Sequence, residues 1–215
     1  MAVNVEFLFD FGSPNAYLAH RVIPDLASRT GAHFEYVPVL LGGVFKATGN
    51  VSPAVSLRGI KNKGAYEALE MRRFVARHGI RDFRSNPHFP VNTLQIMRGA
   101  IVARREGFLP RYVDEMYRYM WSESRKLDDP AVIEEVLEAS GLDAARLLEG
   151  TQDPAVKAEL LANTEDAVAR GVFGSPSFFV GKELFFGKDR LADVEREIDR
   201  VTRGGARGAV QPGGR

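Results

Sequence analysis

VNVEFLFDFGSPNAY, residues 3 to 17, predicts the first strand of this chain and the start of its first helix. Residues 3 to 11 are rich in β-branched and aromatic side chains. The odd-numbered positions from Val3 to Phe11 place apolar side chains on one face, and the run is too short for a helix. Ser13 then precedes Pro14, a pair typical of a helix start, because serine is a favoured N-cap and proline a favoured first helical residue.

The residues that follow complete a βαβ unit. A helix is predicted over 14–29, and we expect Pro24 to kink or split it. A second strand is predicted over 32–39, after Gly31 has stopped the helix. The crossover is expected to be right-handed, and the two strands are expected to be parallel.

A long helical block follows. Residues from about 65 to 171 have a helical pattern almost throughout, with apolar stripes that are typical of a packed bundle. The predicted helices span 66–78, 92–106, 110–124, 130–140, 143–149 and 154–170. The stripe residues are Leu94, Met97, Ile101, Tyr112, Met116, Tyr119 and Met120. We interpret them as core rather than as a cofactor site.

The chain returns to strand character after Gly171. Strands are predicted over 177–181 and 183–187, joined by a short turn, and a helix is predicted over 189–201. The order βαβ, helical block, ββα predicts an α/β protein with a thioredoxin-like fold that is interrupted by an all-helical insertion. The predicted thioredoxin-like domain comprises 1–64 and 172–202, the insertion comprises 65–171, and 203–215 is expected to be a disordered tail.

Composition narrows the possible functions. The 29 basic and 28 acidic residues give a net charge of +1, so no general attraction to nucleic acid or to anionic membranes is expected. The absence of cysteine excludes disulfides, thiolate metal sites and redox chemistry by the chain's own thiols. The four histidines lack metal-ligand spacing. With no targeting pattern and no run of about 18 to 20 apolar residues, we expect a cytoplasmic protein.

Three loops of the predicted fold are expected to meet on one face. Ser13 lies at a helix start, where the helix dipole favours an anion, although it also reads as an ordinary N-cap. Pro176 enters a strand, and a cis Ser175–Pro176 bond would make a tight turn that aims the Ser175 backbone outward. Asp189 either caps the last helix or meets an ammonium group of a ligand. The functional interpretation depends on their convergence.

The residues of these loops resemble a known family. FDFGSPNAY (9–17), LLGGVFKATGN (40–50), KGAY (63–66), GVFGSP (171–176) and FFGKDRL (185–191) stand in the order found in the family that contains kappa-class glutathione transferases and 2-hydroxychromene-2-carboxylate isomerases. The similarity extends from about residue 4 to residue 200. This chain differs from the family pattern at Asn15, at VSP (51–53) and at Ser175.

The resemblance implies a glutathione site. Glutathione would place its thiol at Ser13, Asn50 would help to hold it, and its cysteinyl backbone would pair with the main chain of Ser175 before a cis proline. Lys46 and Lys63 match family lysines and are assigned to anionic ligands. The residues implied for the γ-glutamyl end are Gly187, Lys188, Asp189 and Arg190. The resemblance also favours a homodimer, and no metal is expected.

The resemblance implies that the enzyme is an isomerase. It would interconvert a chromene hemiketal carboxylate and its open trans form with glutathione as a catalytic thiol. The alternative within the family is a glutathione transferase, which would keep the thiol in its product. A disulfide oxidoreductase of the same fold is excluded because SPNA, residues 13 to 16, contains no cysteine. A non-catalytic binding module would show no affinity for glutathione.

Overall fold

The computed structural model describes residues 2–208, and its centre is a sheet of four strands. The strand order is β2-β1-β3-β4, in which β1 is parallel to β2 and antiparallel to β3, and β3 is antiparallel to β4. The strands are β1 (Asn4–Phe9), β2 (His33–Pro38), β3 (Ser177–Val180) and β4 (Glu183–Phe186). Strands from both ends of the chain therefore form one sheet, and the predicted thioredoxin-like α/β fold is confirmed.

Helices account for most of the remaining described residues. They are α1 (Pro14–Thr30), α2 (Leu41–Thr48), α3 (Pro53–Ser56), α4 (Lys63–Arg77), α5 (Leu94–Arg105), α6 (Leu109–Trp121), α7 (Pro130–Ala139), α8 (Ala144–Gly150), α9 (Pro154–Ala169) and α10 (Leu191–Gly208). A 3₁₀ turn, Lys188–Arg190, leads into α10. Helices α4 to α9 form the predicted helical insertion.

Some of these elements differ from the prediction. Helix α1 continues through Pro24 without a break, because Tyr17, Leu18 and Leu26 on both sides of the proline are buried in the core. Helices α2 and α3 were not predicted. Helix α10 continues to Gly208, so the first part of the expected disordered tail is helical. Residues 209–215, the rest of that tail, lie outside the described residues.

The sheet is covered on both faces. On one face, Val5, Phe7 and Phe9 of β1 pack with α1, α5 and α6 in one continuous core that also contains the predicted Met and Tyr stripe. On the other face, Leu8 packs with Phe179 and residues of α2 and α9. Each fully buried large apolar side chain contributes about 1.5–3 kcal/mol. Because one core joins the sheet and the helical block, their division into two domains stays a prediction.

Candidate active site

Ser13 lies where β1 ends and α1 begins. Its Oγ accepts a hydrogen bond of 3.1 Å from the backbone N–H of Ala16, and its own N–H donates to the carbonyl of Asp10. Ser13 is therefore the N-cap of a 17-residue helix, as predicted. The start of such a helix carries about half a positive charge, which favours an anion at this point.

The turn at Pro176 faces Ser13. The Ser175–Pro176 peptide bond is cis, in agreement with the sequence analysis. The Ser13 hydroxyl lies 2.8 Å from the carbonyl oxygen of Ser175, and since a carbonyl oxygen can only accept, Ser13 donates its proton there. The N–H of Gly187 donates to the carbonyl of Pro176 at 2.9 Å. The three loops singled out in the sequence therefore meet.

Asp10 fixes the turn that carries Ser13. Its carboxylate is buried, and it accepts hydrogen bonds from the N–H of Gly12 at 2.8 Å and from the N–H of Leu41 at 2.7 Å. Burial raises the pKa of Asp10, although hydrogen bonds from Leu41, Gly12 and Thr93 oppose this shift. The Ser13 turn is thus tied to the first residue of α2. Sequence analysis missed this role, for which the only signal was an acidic residue inside an apolar run.

Asn50 links the end of α2 to the loop before Pro176. Its Nδ2 donates to the carbonyl of Phe173 at 2.9 Å, and its Oδ1 accepts from the N–H of Val51 at 2.8 Å. The side chain is exposed and lies at the rim of the cavity described next. Asn50 therefore positions the loop that carries Ser175.

A cavity of about 880 Å³ opens beside these loops. It lies between the sheet end and the helical block, and its wall contains five of the predicted site residues as well as several aromatic rings. The predicted residues on the wall are Ser13, Asn50, Ser175, Lys188 and Asp189. The aromatic residues are Phe45, Tyr66, Phe83, Phe89, Trp121 and Phe186. The cavity thus has a polar edge at the loops, and its other walls combine aromatic rings with charged side chains such as Arg58, Glu67 and Glu70.

Lys188 and Asp189 form an ion pair on this wall. The side chain of Lys188 is 5% exposed, and its Nζ lies 2.7 and 2.8 Å from the two carboxylate oxygens of Asp189. The ring of Phe74 lies 4.9 Å from the same Nζ. Asp189 itself is largely exposed and can accept further hydrogen bonds. The ammonium group of Lys188 is already neutralised within the protein.

Four residues of the predicted site do not line the cavity that residues 2–208 form: Lys46, Lys63, Gly187 and Arg190. Lys46 is exposed on α2. Lys63 pairs with Glu67 at 2.7 Å, and this hydrogen bond raises the pKa of Lys63. Arg190 lies 3.5 Å from Asp193. The structure therefore does not place the side chains of Lys46, Lys63 and Arg190 on the cavity wall that contains Ser13.

The cavity wall also contains residues that sequence analysis missed. Arg58 lies between α3 and α4, and its Nε donates to the carbonyl of Ala54 at 3.1 Å. Trp121 ends α6 and donates its Nε1–H to the carbonyl of Phe11 at 2.8 Å. No spacing in the sequence marked either residue, because both reach the cavity only through the packing of separate segments.

Comparison with known proteins gives the family. A family model described as a DSBA-like thioredoxin domain matches residues 4–199. This chain belongs to that family. Within it, the chain is 32% identical over 195 residues to a 2-hydroxychromene-2-carboxylate isomerase of Sphingobium xenophagum, covering 91% of this chain and 97% of the relative. It is 26% identical over 205 residues to human glutathione S-transferase kappa 1, covering 87% of each.

Solved structures share the fold of this chain. A 2-hydroxychromene-2-carboxylate isomerase superimposes with a TM-score of 0.81 at 29% identity, covering 96% of this chain and all of the other. A probable DsbA oxidoreductase from Streptomyces coelicolor, with a TM-score of 0.66 at 19% identity over 99% of this chain and 93% of its own, shares the fold. The predicted resemblance is confirmed, and the chain is an enzyme of the isomerase and kappa-class transferase branch.

Within residues 2–208, no three or more His, Asp or Glu side chains are placed to hold a metal ion together. Over the same range, none of the helices is both long enough and apolar enough to cross a bilayer.

Proposed function

We propose that this protein is a glutathione-dependent isomerase of 2-hydroxychromene-2-carboxylate-type intermediates of aromatic degradation. It would interconvert the chromene hemiketal and trans-o-hydroxybenzylidenepyruvate. One observation carries the proposal: in a chain without cysteine, Ser13 at a helix start faces the cis Ser175–Pro176 turn at the rim of a cavity with aromatic walls. The isomerases among the relatives support it.

The polar edge of the cavity fits glutathione. The start of α1 favours a thiolate. The exposed carboxylate of Asp189 suits the ammonium group of a γ-glutamyl end, and the Ser175 turn offers main-chain groups to a peptide. The cavity of about 880 Å³ falls in the range of about 300–1,000 Å³ usual for small-molecule sites. Asn50 would hold the ligand beside the loop that it positions. The resemblance assigns Gly187 and Arg190 to the γ-glutamyl end and Lys46 and Lys63 to anionic ligands, and none of the four lines the cavity wall that the described residues form.

When bound, glutathione supplies a thiolate whose reversible addition converts a carbon–carbon double bond into a single bond that can rotate. The protein must stabilise the negative charges involved. Ser13 would turn its hydroxyl proton from the Ser175 carbonyl toward the sulfur, while the dipole of α1 lowers the pKa of the thiol. One unit of that pKa is worth about 1.4 kcal/mol. Apolar walls such as Trp121 exclude water from the reacting carbon atoms.

The alternative is a kappa-class-like glutathione transferase that conjugates glutathione to an electrophile. Human glutathione S-transferase kappa 1, at 26% identity, supports this second candidate. The two reactions differ in the fate of the thiol, since an isomerase regenerates it and a transferase consumes it.

A spectral assay of chromene ring isomerisation, with and without glutathione, tests the proposal. We expect turnover only with glutathione. Thiol titration during turnover should show no change in the free thiol concentration. Loss of free thiol in proportion to turnover would favour the transferase. Absence of turnover with glutathione, despite calorimetric binding of glutathione, would contradict the isomerase proposal.

We also propose that the protein is a cytoplasmic homodimer. The cytoplasm keeps glutathione reduced, which suits a thiol-dependent enzyme. The segment from 51 to 66, which borders the cavity, exposes four large apolar side chains: Val51, Val55, Ile60 and Tyr66. Such a patch is typical of a surface that another protein covers.

A further inference from the structure

We infer that Arg58 is the residue that binds a ligand carboxylate in this cavity, a role that the sequence resemblance gave to Lys46 and Lys63. The inference rests on the proposed function, because it names the anion contact of the same site. Arg58 follows α3, and its backbone N–H donates to the carbonyl of Val55 at 3.1 Å. The side chain is exposed toward the cavity.

The charges on the wall single out Arg58. Within the described range, the wall contains two basic side chains, Arg58 and Lys188. Lys188 is bound to both carboxylate oxygens of Asp189. Arg58 has no carboxylate within salt-bridge distance among the side chains that the structure describes. It is therefore the cation of the cavity wall that can receive an incoming anion.

The geometry of Arg58 suits a carboxylate. Its Nε donates to the carbonyl of Ala54, which holds one edge of the guanidinium group in place. The two terminal nitrogens remain available as donors, and a planar guanidinium binds a carboxylate through two parallel hydrogen bonds. A partly fixed side chain loses less entropy when it binds.

The acidic residues on the same wall do not cancel this attraction. Glu67 is paired with Lys63 at 2.7 Å, and Glu70 is paired with Arg73. Each of the two carboxylates therefore has a cation of its own on α4.

The remaining wall indicates the class of ligand. The rings of Phe83 and Phe89 lie 6.3 and 5.9 Å from the ring of Trp121, and the three rings form an aromatic part of the cavity wall. A planar aromatic carboxylate can place its ring there and its charge at Arg58. Glutathione carries a glycyl carboxylate, so the same contact has two sources: the aromatic substrate or the tripeptide.

Calorimetric titrations of Arg58→Ala and Arg58→Lys, separately with glutathione and with the chromene carboxylate, distinguish these sources. We expect Arg58→Ala to weaken binding of the chromene carboxylate by about tenfold or more, the loss typical of a charge-assisted hydrogen bond, and Arg58→Lys to restore part of it. A loss confined to glutathione would assign the contact to the glycyl carboxylate. Unchanged affinity for both ligands would overturn the inference.

Arg72→Ala is the matched control, because Arg72 is an exposed arginine of α4 outside the cavity wall. It is expected to leave both affinities unchanged. Equal weakening by Arg72→Ala and Arg58→Ala would mean that only the net charge of the protein matters, and it would also overturn the inference. Because the titrations need no turnover, they test Arg58 independently of the isomerase assay. A failed isomerase assay would contradict the proposed function, and the role of Arg58 would still be decided by the binding data.

Discussion

At the scale of single residues, the hydroxyl group of Ser13 caps α1 and is also the group that we propose to act on the bound thiolate. It accepts from the N–H of Ala16, which caps α1, and it donates to the carbonyl of Ser175. A hydroxyl has one proton, so a hydrogen bond to a bound anion replaces the one to Ser175. Removal of this group is therefore expected to affect both folding and activity, and a control must separate the two effects.

The variant Ser13→Ala is expected to lose at least about tenfold in isomerisation rate, because a hydrogen bond to a charged atom contributes roughly 1.5 kcal/mol or more. It should also lose about 1 kcal/mol in the free energy of unfolding with the N-cap. Spectral assays and urea unfolding measure the two effects.

The control is Asp153→Ala. Asp153 caps α9 in the same way, by accepting from the N–H of Ala155 at 2.8 Å, and it does not line the cavity. The Asp153→Ala variant should lose a similar free energy of unfolding and keep the isomerisation rate of the wild type. Full activity in Ser13→Ala would refute a catalytic role for the hydroxyl.

Asp10 provides a prediction about pH. Burial raises the pKa of Asp10 above its ordinary value of 3.8, so the folded protein keeps this proton to higher pH than the unfolded chain does. The contribution of Asp10 to stability is therefore fully present below the unfolded pKa and is lost as pH rises through the folded pKa. The unfolding free energy of the wild type, minus that of Asp10→Asn, should decrease as pH rises above about 4, the pKa of an aspartate in the unfolded chain.

Urea unfolding of both proteins at several pH values measures this difference. An increase over the same pH range would mean that the hydrogen bonds from Leu41 and Gly12 outweigh the cost of burying the charge.

At the scale of elements, the sequence predicted the strands and helices in which apolar residues repeat with a clear period. The alternation from Val3 to Phe11 predicted β1, and the Met and Tyr stripe predicted the packed helices α5 and α6. Helix α1 does not split at Pro24 as expected, because the buried apolar residues on either side stabilise α1 more than the missing N–H weakens it. Helices α2 and α3 have only 8 and 4 residues, and α2 contains two glycines, which are poor helix formers, so their pattern resembled a loop.

The packing of α5 against α6 depends on Gly99. A Cβ added at Gly99 would lie 2.8 Å from Cζ of Tyr112, whose hydroxyl donates to the carbonyl of Ile96 at 2.9 Å. We expect Gly99→Ala to lower the free energy of unfolding by about 1–3 kcal/mol, the usual cost of overpacking. Urea unfolding measures the change.

Gly42→Ala is the matched control on α2, where nothing lies within 4 Å of the added Cβ. It should be neutral or stabilise the protein by up to about 1 kcal/mol, since alanine is the better helix former. A Gly99→Ala protein as stable as Gly42→Ala would show that Tyr112 can move at little cost.

At the scale of the whole molecule, only some residues of the candidate site could be predicted from the sequence. Ser13, Ser175 and Asp189 were found because each stands at a turn that a thioredoxin-like topology brings to one face. Lys46 and Lys63 were assigned by resemblance, and neither reaches the cavity wall that the described residues form. Arg58 could not be found from sequence, because its position depends on the path of the segment between α3 and α4.

The proposed dimer predicts a solution mass twice the 23.8 kDa of one chain, measured by light scattering. The double variant Val55→Asp, Ile60→Asp places charges in the exposed apolar patch and should shift the protein toward the monomer. Leu161→Asp, an equally exposed position on α9, is the control and should leave the mass unchanged. A monomeric wild type, or a dimer that survives the double variant, would contradict the proposed interface.

The hydrogen bond from Ser13 to Ser175 joins residues that lie 162 positions apart in the chain. A contact of such long range carries a large loop-closure entropy, and it forms only after the intervening segments have condensed. A partly synthesised or clipped chain that lacks the last two strands would therefore lack the proposed glutathione site. In refolding experiments, recovery of glutathione binding would report the completion of the native topology rather than the appearance of secondary structure.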